Sequence, residues 1–116
     1  MNKKRFYDTW LKCSTPCCNQ QATDLHELFG GKSAKKGSSL RDICIEHDIQ
    51  ILVCRDCHTT YEREKAISHI WGASILGVDP DELKRAVLTN DTDTLRRLQA
   101  DINRNYWSKY KEHMRA

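Results

Sequence analysis

The chain has 116 residues, 39% hydrophobic and 30% charged, with a net charge of +3 and six cysteines. That is one domain's length, small enough that its core gains from a staple, and no apolar run approaches the ~18 residues of a membrane span. The basic start, Met1 to Trp10, has no apolar h-region, so a cytoplasmic chain is expected, and in a reducing compartment its cysteines point to metal ligation over cystines.

Residues 3–12 place Phe6, Tyr7, Trp10 and Leu11 on one broad face and predict a short helix. It ends at Cys13-Ser14-Thr15-Pro16-Cys17-Cys18, where Pro16 and the closely spaced thiols make a turn. A strand is expected over 22–29, with Asp24, His26 and Glu27 interrupting its alternation. The Gly- and Ser-rich loop 30–40 follows. From Gly31 to Arg41 the chain carries Lys32, Lys35, Lys36 and Arg41 with no acid. Such a segment suits a phosphate backbone, and equally a solvated flexible loop.

A turn of helix over 41–47 leads to a strand at 49–53. Beyond Cys57 the pattern becomes helical, with Tyr61, Ala66, Ile67, Ile70 and Trp71 on an interrupted apolar face. Gly72 and Gly77 bound a short apolar connection. Asp79 as N-cap, Pro80 at the first helical position and Glu82 three residues after Asp79 then start a helix running to about Leu88. Asn90-Asp91-Thr92-Asp93 breaks and restarts the chain. A last helix near 93–113 sets Leu95, Leu98, Ile102 and Tyr106 at 3/4 spacing. Its basic residues (Arg96, Arg97, Arg104, Lys109, Lys111, Arg115) and aromatics (Tyr106, Trp107, Tyr110) suit a packing helix with a solvated face. Contact with DNA, or with a protein partner or second copy, is the alternative.

The chemistry-bearing residues centre on Cys54-Arg55-Asp56-Cys57-His58. A tight Cys-x-x-Cys knuckle aims both sulfurs at one centre, and a tetrahedral zinc takes two thiols from each of two knuckles. Adjacent thiols rarely both bind one zinc with good geometry, so the other pair is read as Cys13 with Cys18, with Cys13 and Cys17 as the alternative. Cys44, inside an apolar run, reads as a small buried hydrophobe. His58 and Glu62 lie four apart and share a helix face. His26 and Glu27 are neighbours on a strand and diverge unless a twist brings both to one side. A zinc joining the knuckles sets this strand beside the helix start, and His26, His58 and Glu62 could there hold a harder ion, Mg²⁺ or Mn²⁺. The plainer alternative is a His that caps a carbonyl or replaces a zinc thiol, beside a solvated Glu62.

The runs Cys13-Ser-Thr-Pro-Cys-Cys18, Asp24-Leu-His-Glu-Leu-Phe-Gly30 and Ile49-Gln-Ile-Leu-Val-Cys-Arg-Asp-Cys-His58 resemble HNH nucleases with zinc knuckles, in particular small phage and prophage proteins of that group. The resemblance covers about residues 13–62. It implies a zinc-stapled ββα-metal, treble-clef-like core, placed over 1–72; with the helical pattern of 73–116 as a C-terminal extension that packs on the core or stands apart, an α+β fold is expected. It implies a metal-dependent DNA endonuclease or nickase in the (host) cytoplasm. Position by position, His26 takes a metal-ligand place, and Glu27 stands where the second His of a His-His pair acts as base. His58 matches the His after the second knuckle, and Glu62 falls where many members have a further His. Ile49 occupies the place of the middle Asn, whose orienting role would pass to Asp48 or His47. Arg55 and the lysines at 32, 35 and 36 would hold flanking phosphates. Two other readings stand beside it. One is an inactive zinc-stapled nucleic-acid-binding or recombination accessory protein; the other is a protein-interaction module using the zinc fold as scaffold.

Overall fold

Two short antiparallel strands set the frame of this computed structural model, which describes residues 10–31 and 39–114. Strand β1 (Asp24–Glu27) pairs with β2 (Gln50–Val53), with Asp24 opposite Val53, His26 opposite Ile51 and Glu27 opposite Gln50. β2 is buried at every position, so it has an apolar run where a half-exposed strand would alternate. Between the strands lies α1 (Leu40–Glu46), capped by the Ser39 hydroxyl, which accepts from Asp42 N–H. After β2 come α2 (Arg55–Arg63), α3 (Lys65–Leu76), α4 (Pro80–Thr89) and α5 (Thr92–Asn105), then a 3₁₀ helix (Trp107–Met114). Among the described residues this is an α+β fold, and no helix there is long and apolar enough to cross a membrane.

The C-terminal helices start and stop on local chemistry. Gly77 closes α3 at φ 75°, in the left-handed region that favours glycine. Asp79 Oδ2 accepts from Glu82 N–H at 2.8 Å, with Pro80 at the first position of α4. Asn90, at φ 49°, ends α4, and the Asp91 carboxylate caps α5 through Thr94 N–H. On α5 the residues Leu95, Leu98 and Ile102 are buried, as their spacing requires.

Three segments differ from expectation. Of the helix predicted over 3–12, residues 1–9 lie outside the described residues, and Trp10 to Lys12 are not helical. Lys12 bridges to Gln21, Ala22 N–H donates to Leu11 O, and Cys13 N–H donates to Gln20 O. Cross-strand bonds around the thiol turn therefore overrule helical spacing at its end. Second, the expected 72–77 connection is helical, because Gly72 serves packing: a Cβ there would stand 2.5 Å from Leu28 Cγ.

Third, the last α-helix ends at Asn105, not near 113, because Tyr106 turns out of helical geometry to reach the strands. Its hydroxyl lies 2.5 Å from Ser14 Oγ and accepts from Leu52 N–H at 2.8 Å. Trp107 Nε1–H donates to the Asp48 carbonyl. Both aromatics are buried in the same core as β2, and the expected division between 72 and 73 falls inside α3. On the solvated side Arg97 pairs with Glu82 and Asp101, and Arg104 with Asp101.

Candidate metal centre and adjoining cleft

Four cysteines converge beside the strands. The Sγ atoms of Cys13, Cys18, Cys54 and Cys57 all lie within 4.8 Å of one another. The backbone explains why. The hairpin that pairs Leu11 and Cys13 with Ala22 and Gln20 is docked on β2 by Ser14 N–H donating to Leu52 O at 2.9 Å. Directly after β2, Cys54 is the N-cap of α2, and its sulfur accepts from Cys57 N–H at 3.4 Å, which turns the second thiol of the knuckle toward the first. Cys17 sits at φ 66° with its side chain exposed, so the turn points Cys18 inward. That places Cys18, not Cys17, with the other three thiols.

The spacing suits a metal. A zinc–sulfur bond of about 2.3 Å in a tetrahedron puts the sulfurs about 3.8 Å apart. The Cys18–Cys54 and Cys18–Cys57 sulfurs are each separated by 3.9 Å, well beyond a disulfide bond. Electrostatics agree. Burial pushes the Cys54 and Cys57 thiols up, with the nearby Cys13 sulfur adding to the shift. Burial also acts to raise Cys13, but bonds from the Cys54 and Thr15 backbones outweigh it and bring this thiol down. Each thiol gives up its proton to bind a divalent ion, so a cation at this centre would offset the burial that opposes ionisation of Cys54 and Cys57. The four-cysteine set could thus hold a metal such as zinc. Cys44 stands apart, fully buried, bonded to Phe29 O and pushed up to about 12 by burial.

Next to this centre is a cleft of about 150 Å³ lined by His26, Glu27, Arg41, His58, Glu62 and Lys65, with the chain at 28–30. His26, Glu27, His58 and Glu62 are thus brought together. Neighbours on β1 both reach the cleft because the strand ends at Glu27. His26 is 4% exposed, its ring stacked on Tyr61 and edge-on to His58, each centroid 5.2 Å away. Its Nε2 lies 2.7 Å from Ser68 Oγ. Burial, then the charges of His58, Lys65 and His69, push its pKa down to about 4, so the ring is neutral at pH 7.

His58 lies between two carboxylates, Nδ1 at 2.7 Å from Asp24 Oδ2 and Nε2 at 3.0 Å from Glu62 Oε1. Asp24 is itself gripped by Arg55, through Nε at 3.0 Å and Nη2 at 3.3 Å. Burial acts to raise the Asp24 carboxyl, but hydrogen bonds from His58 and Thr23 and the Arg55 charge outweigh it and hold it below the usual carboxylate range. Glu27 is engaged at both oxygens, by Arg41 Nε and by Gln50 Nε2, each at 3.1 Å.

Other expected residues lie elsewhere. His47 is buried and donates from Nδ1 to Ile43 O, while Asp48 Oδ2 accepts from Gln99 and Asn103 of α5. Neither lines the cleft, so neither takes the orienting role there. Lys32, Lys35 and Lys36 lie outside the described residues; Arg41 and Arg55 are on the surface. Asp24, Lys65 and Ser68 are site residues that sequence reasoning missed. Asp24 had a signal, since residues two apart on a strand share a face and His26 is two away. Ser68 had none, because its partner is 42 positions distant.

With the geometry in view, comparison with known proteins finds no match among protein-family models, curated proteins or solved structures.

Proposed function

We propose that the chain is a metal-dependent phosphodiester hydrolase acting on DNA, an endonuclease or nickase of the HNH type, with zinc on its four cysteines. The observation that carries this is the cleft beside the thiols, where His26 of β1 meets His58 and Glu62 of α2, with Glu27 and two cationic side chains at its margin. Among the described residues only the four cysteines stand close enough together to hold an ion as they are, so His26, His58 and Glu62, which line one cleft, would have to draw in around a second, harder one. A divalent ion held by His26, His58 and Glu62 would supply positive charge to stabilise the developing phosphorane and the leaving 3′ oxygen.

The chain's own residues do the rest. Arg41 and Lys65 flank the cleft and would hold the phosphates beside the scissile bond, with Arg55 on the α2 side. A phosphate that draws Arg41 away leaves Glu27 with Gln50 alone and frees a carboxylate oxygen to meet the attacking water. Asp24, braced by Arg55, fixes the His58 ring from behind.

Supercoiled plasmid with Mg²⁺ or Mn²⁺ tests this. The wild-type chain nicks it, and His26→Ala, Glu27→Ala and His58→Ala abolish nicking while keeping the tightly bound metal. The engagement of both Glu27 oxygens favours one other reading, an inactive nucleic-acid-binding protein. Plasmid left intact by the wild type, with salt-sensitive DNA binding retained, would establish that reading and end the first.

A further inference from the structure

Ser68 lies on α3, beyond the thiols and the two histidines that line the cleft, and is 1% exposed. A buried hydroxyl in a helix is placed by its partners, and Ser68 has two. Its oxygen is 2.7 Å from His26 Nε2 and 3.0 Å from the Leu28 carbonyl. A carbonyl only accepts, and a serine has one hydrogen to give. The hydroxyl therefore donates to Leu28 O, and its oxygen accepts from His26 Nε2–H. An uncharged imidazole carries one N–H, so its lone pair is on Nδ1.

Gly72 makes this possible. It lies one turn beyond Ser68 on the same face of α3, and its missing Cβ lets the helix come against Leu28, whose carbonyl takes the serine hydrogen.

We infer that Ser68 is a positioning residue for the reaction centre: it sets the tautomer of His26 so that Nδ1 is the atom offered to a divalent ion or substrate in the cleft. This rests on the reading of the cleft as a hydrolytic centre. It adds a residue from the C-terminal helices to a site otherwise built from β1 and α2, so the helices act on the chemistry as well as on the core.

The experiment is long-range ¹H–¹⁵N correlation of the imidazole rings in the full, zinc-loaded chain at neutral pH, followed by Mn²⁺ titration. The expected wild-type spectrum shows a protonated Nε2 and a bare Nδ1 on His26; a protonated Nδ1 overturns the proposal outright. Ser68→Ala is expected to mix the tautomers and weaken Mn²⁺ binding by about 10–100-fold, the usual effect of removing a partner that orients a metal ligand. Ser68→Thr, which keeps the hydroxyl, restores both. Tautomer and Mn²⁺ affinity unchanged in Ser68→Ala would reduce Ser68 to a packing residue. Should Ser68→Ala fail to fold, the wild-type tautomer alone decides. If tautomer and Mn²⁺ behave as expected but plasmid stays intact, the hydrolase reading falls and the positioning role of Ser68 stands; the reverse pattern sinks Ser68 alone.

Discussion

Acid should expose how His26 is held. Its folded pKa is about 4 against an ordinary 6.5, because burial and the charges of His58, Lys65 and His69 all oppose a proton on the ring. Below pH 6.5 the unfolded chain takes up that proton while the folded one refuses it, so stability is full above 6.5 and falls as pH drops toward 4. The whole difference is roughly 3 kcal/mol at about 1.4 kcal/mol per pH unit, and about 2 kcal/mol of it is lost by roughly pH 5. His26→Gln removes the titration while leaving a polar side chain to meet Ser68. Urea unfolding of both proteins between pH 7.5 and 5 gives the contrast. Thiol protonation and metal loss affect both and cancel in the difference, whereas the His26 term belongs to the wild type alone. The stability difference between the two should move by about 2 kcal/mol in favour of the variant as pH falls. A difference that stays constant over this range refutes the account of a ring kept neutral by its surroundings.

The remaining predictions concern the staple and the packing around it. Cys18→Ser should lose the bound metal and unfold, since a structural zinc contributes about 10–16 kcal/mol in small domains, as much as a whole domain's net stability. Cys17→Ser should keep both metal and melting temperature; equal loss in the two, by metal analysis and thermal melts, would reject the assignment. Tyr106→Phe leaves the buried Leu52 N–H without its partner and should cost about 1–3 kcal/mol in urea unfolding; no change would mean the C-terminal helices are not clamped to β2. Gly72→Ala drives a Cβ into Leu28 and should cost about 1–3 kcal/mol, with weakened Mn²⁺ binding as Ser68 shifts.

How much of this was legible in the sequence depended on the reach of each signal. The α4 start lies within four residues, Asp79 to Glu82, and it stands as expected because caps and proline act locally. The two strands were legible from an apolar run and a half-polar one, although the strand expected over 22–29 is confined to Asp24–Glu27. Cys18 could be preferred to Cys17 only on the general difficulty of binding one ion with adjacent thiols; the left-handed Cys17 that turns its neighbour inward is a backbone fact. Gly72 was misleading because a glycine that ends a helix and a glycine that lets one approach a neighbour look the same in sequence, and Leu28 decides between them. Leu11 and Lys12 lost their helical reading to pairing with Gln21 and Ala22 across the thiol turn. The end of α5 was set by distant partners, Ser14 and Leu52, which spacing along the helix does not encode.

One residue links the two centres and makes them mechanically one. Tyr61 of α2 is 2% exposed; its ring stacks on His26, and its hydroxyl lies 2.8 Å from Thr15 Oγ1 in the turn between Cys13 and Cys18. The same turn is tied to β2 through Ser14, and β2 runs directly into Cys54. A metal on the four sulfurs therefore fixes Thr15, Thr15 fixes Tyr61, and Tyr61 supplies the wall against which the His26 ring lies. Asp24 reaches His58 by the same frame: it is paired with Val53, one residue before Cys54, and its carboxylate meets His58, one residue after Cys57. An ion at the thiols would govern the geometry of the cleft without touching any group in it, because strand pairing and one buried tyrosine carry the constraint across.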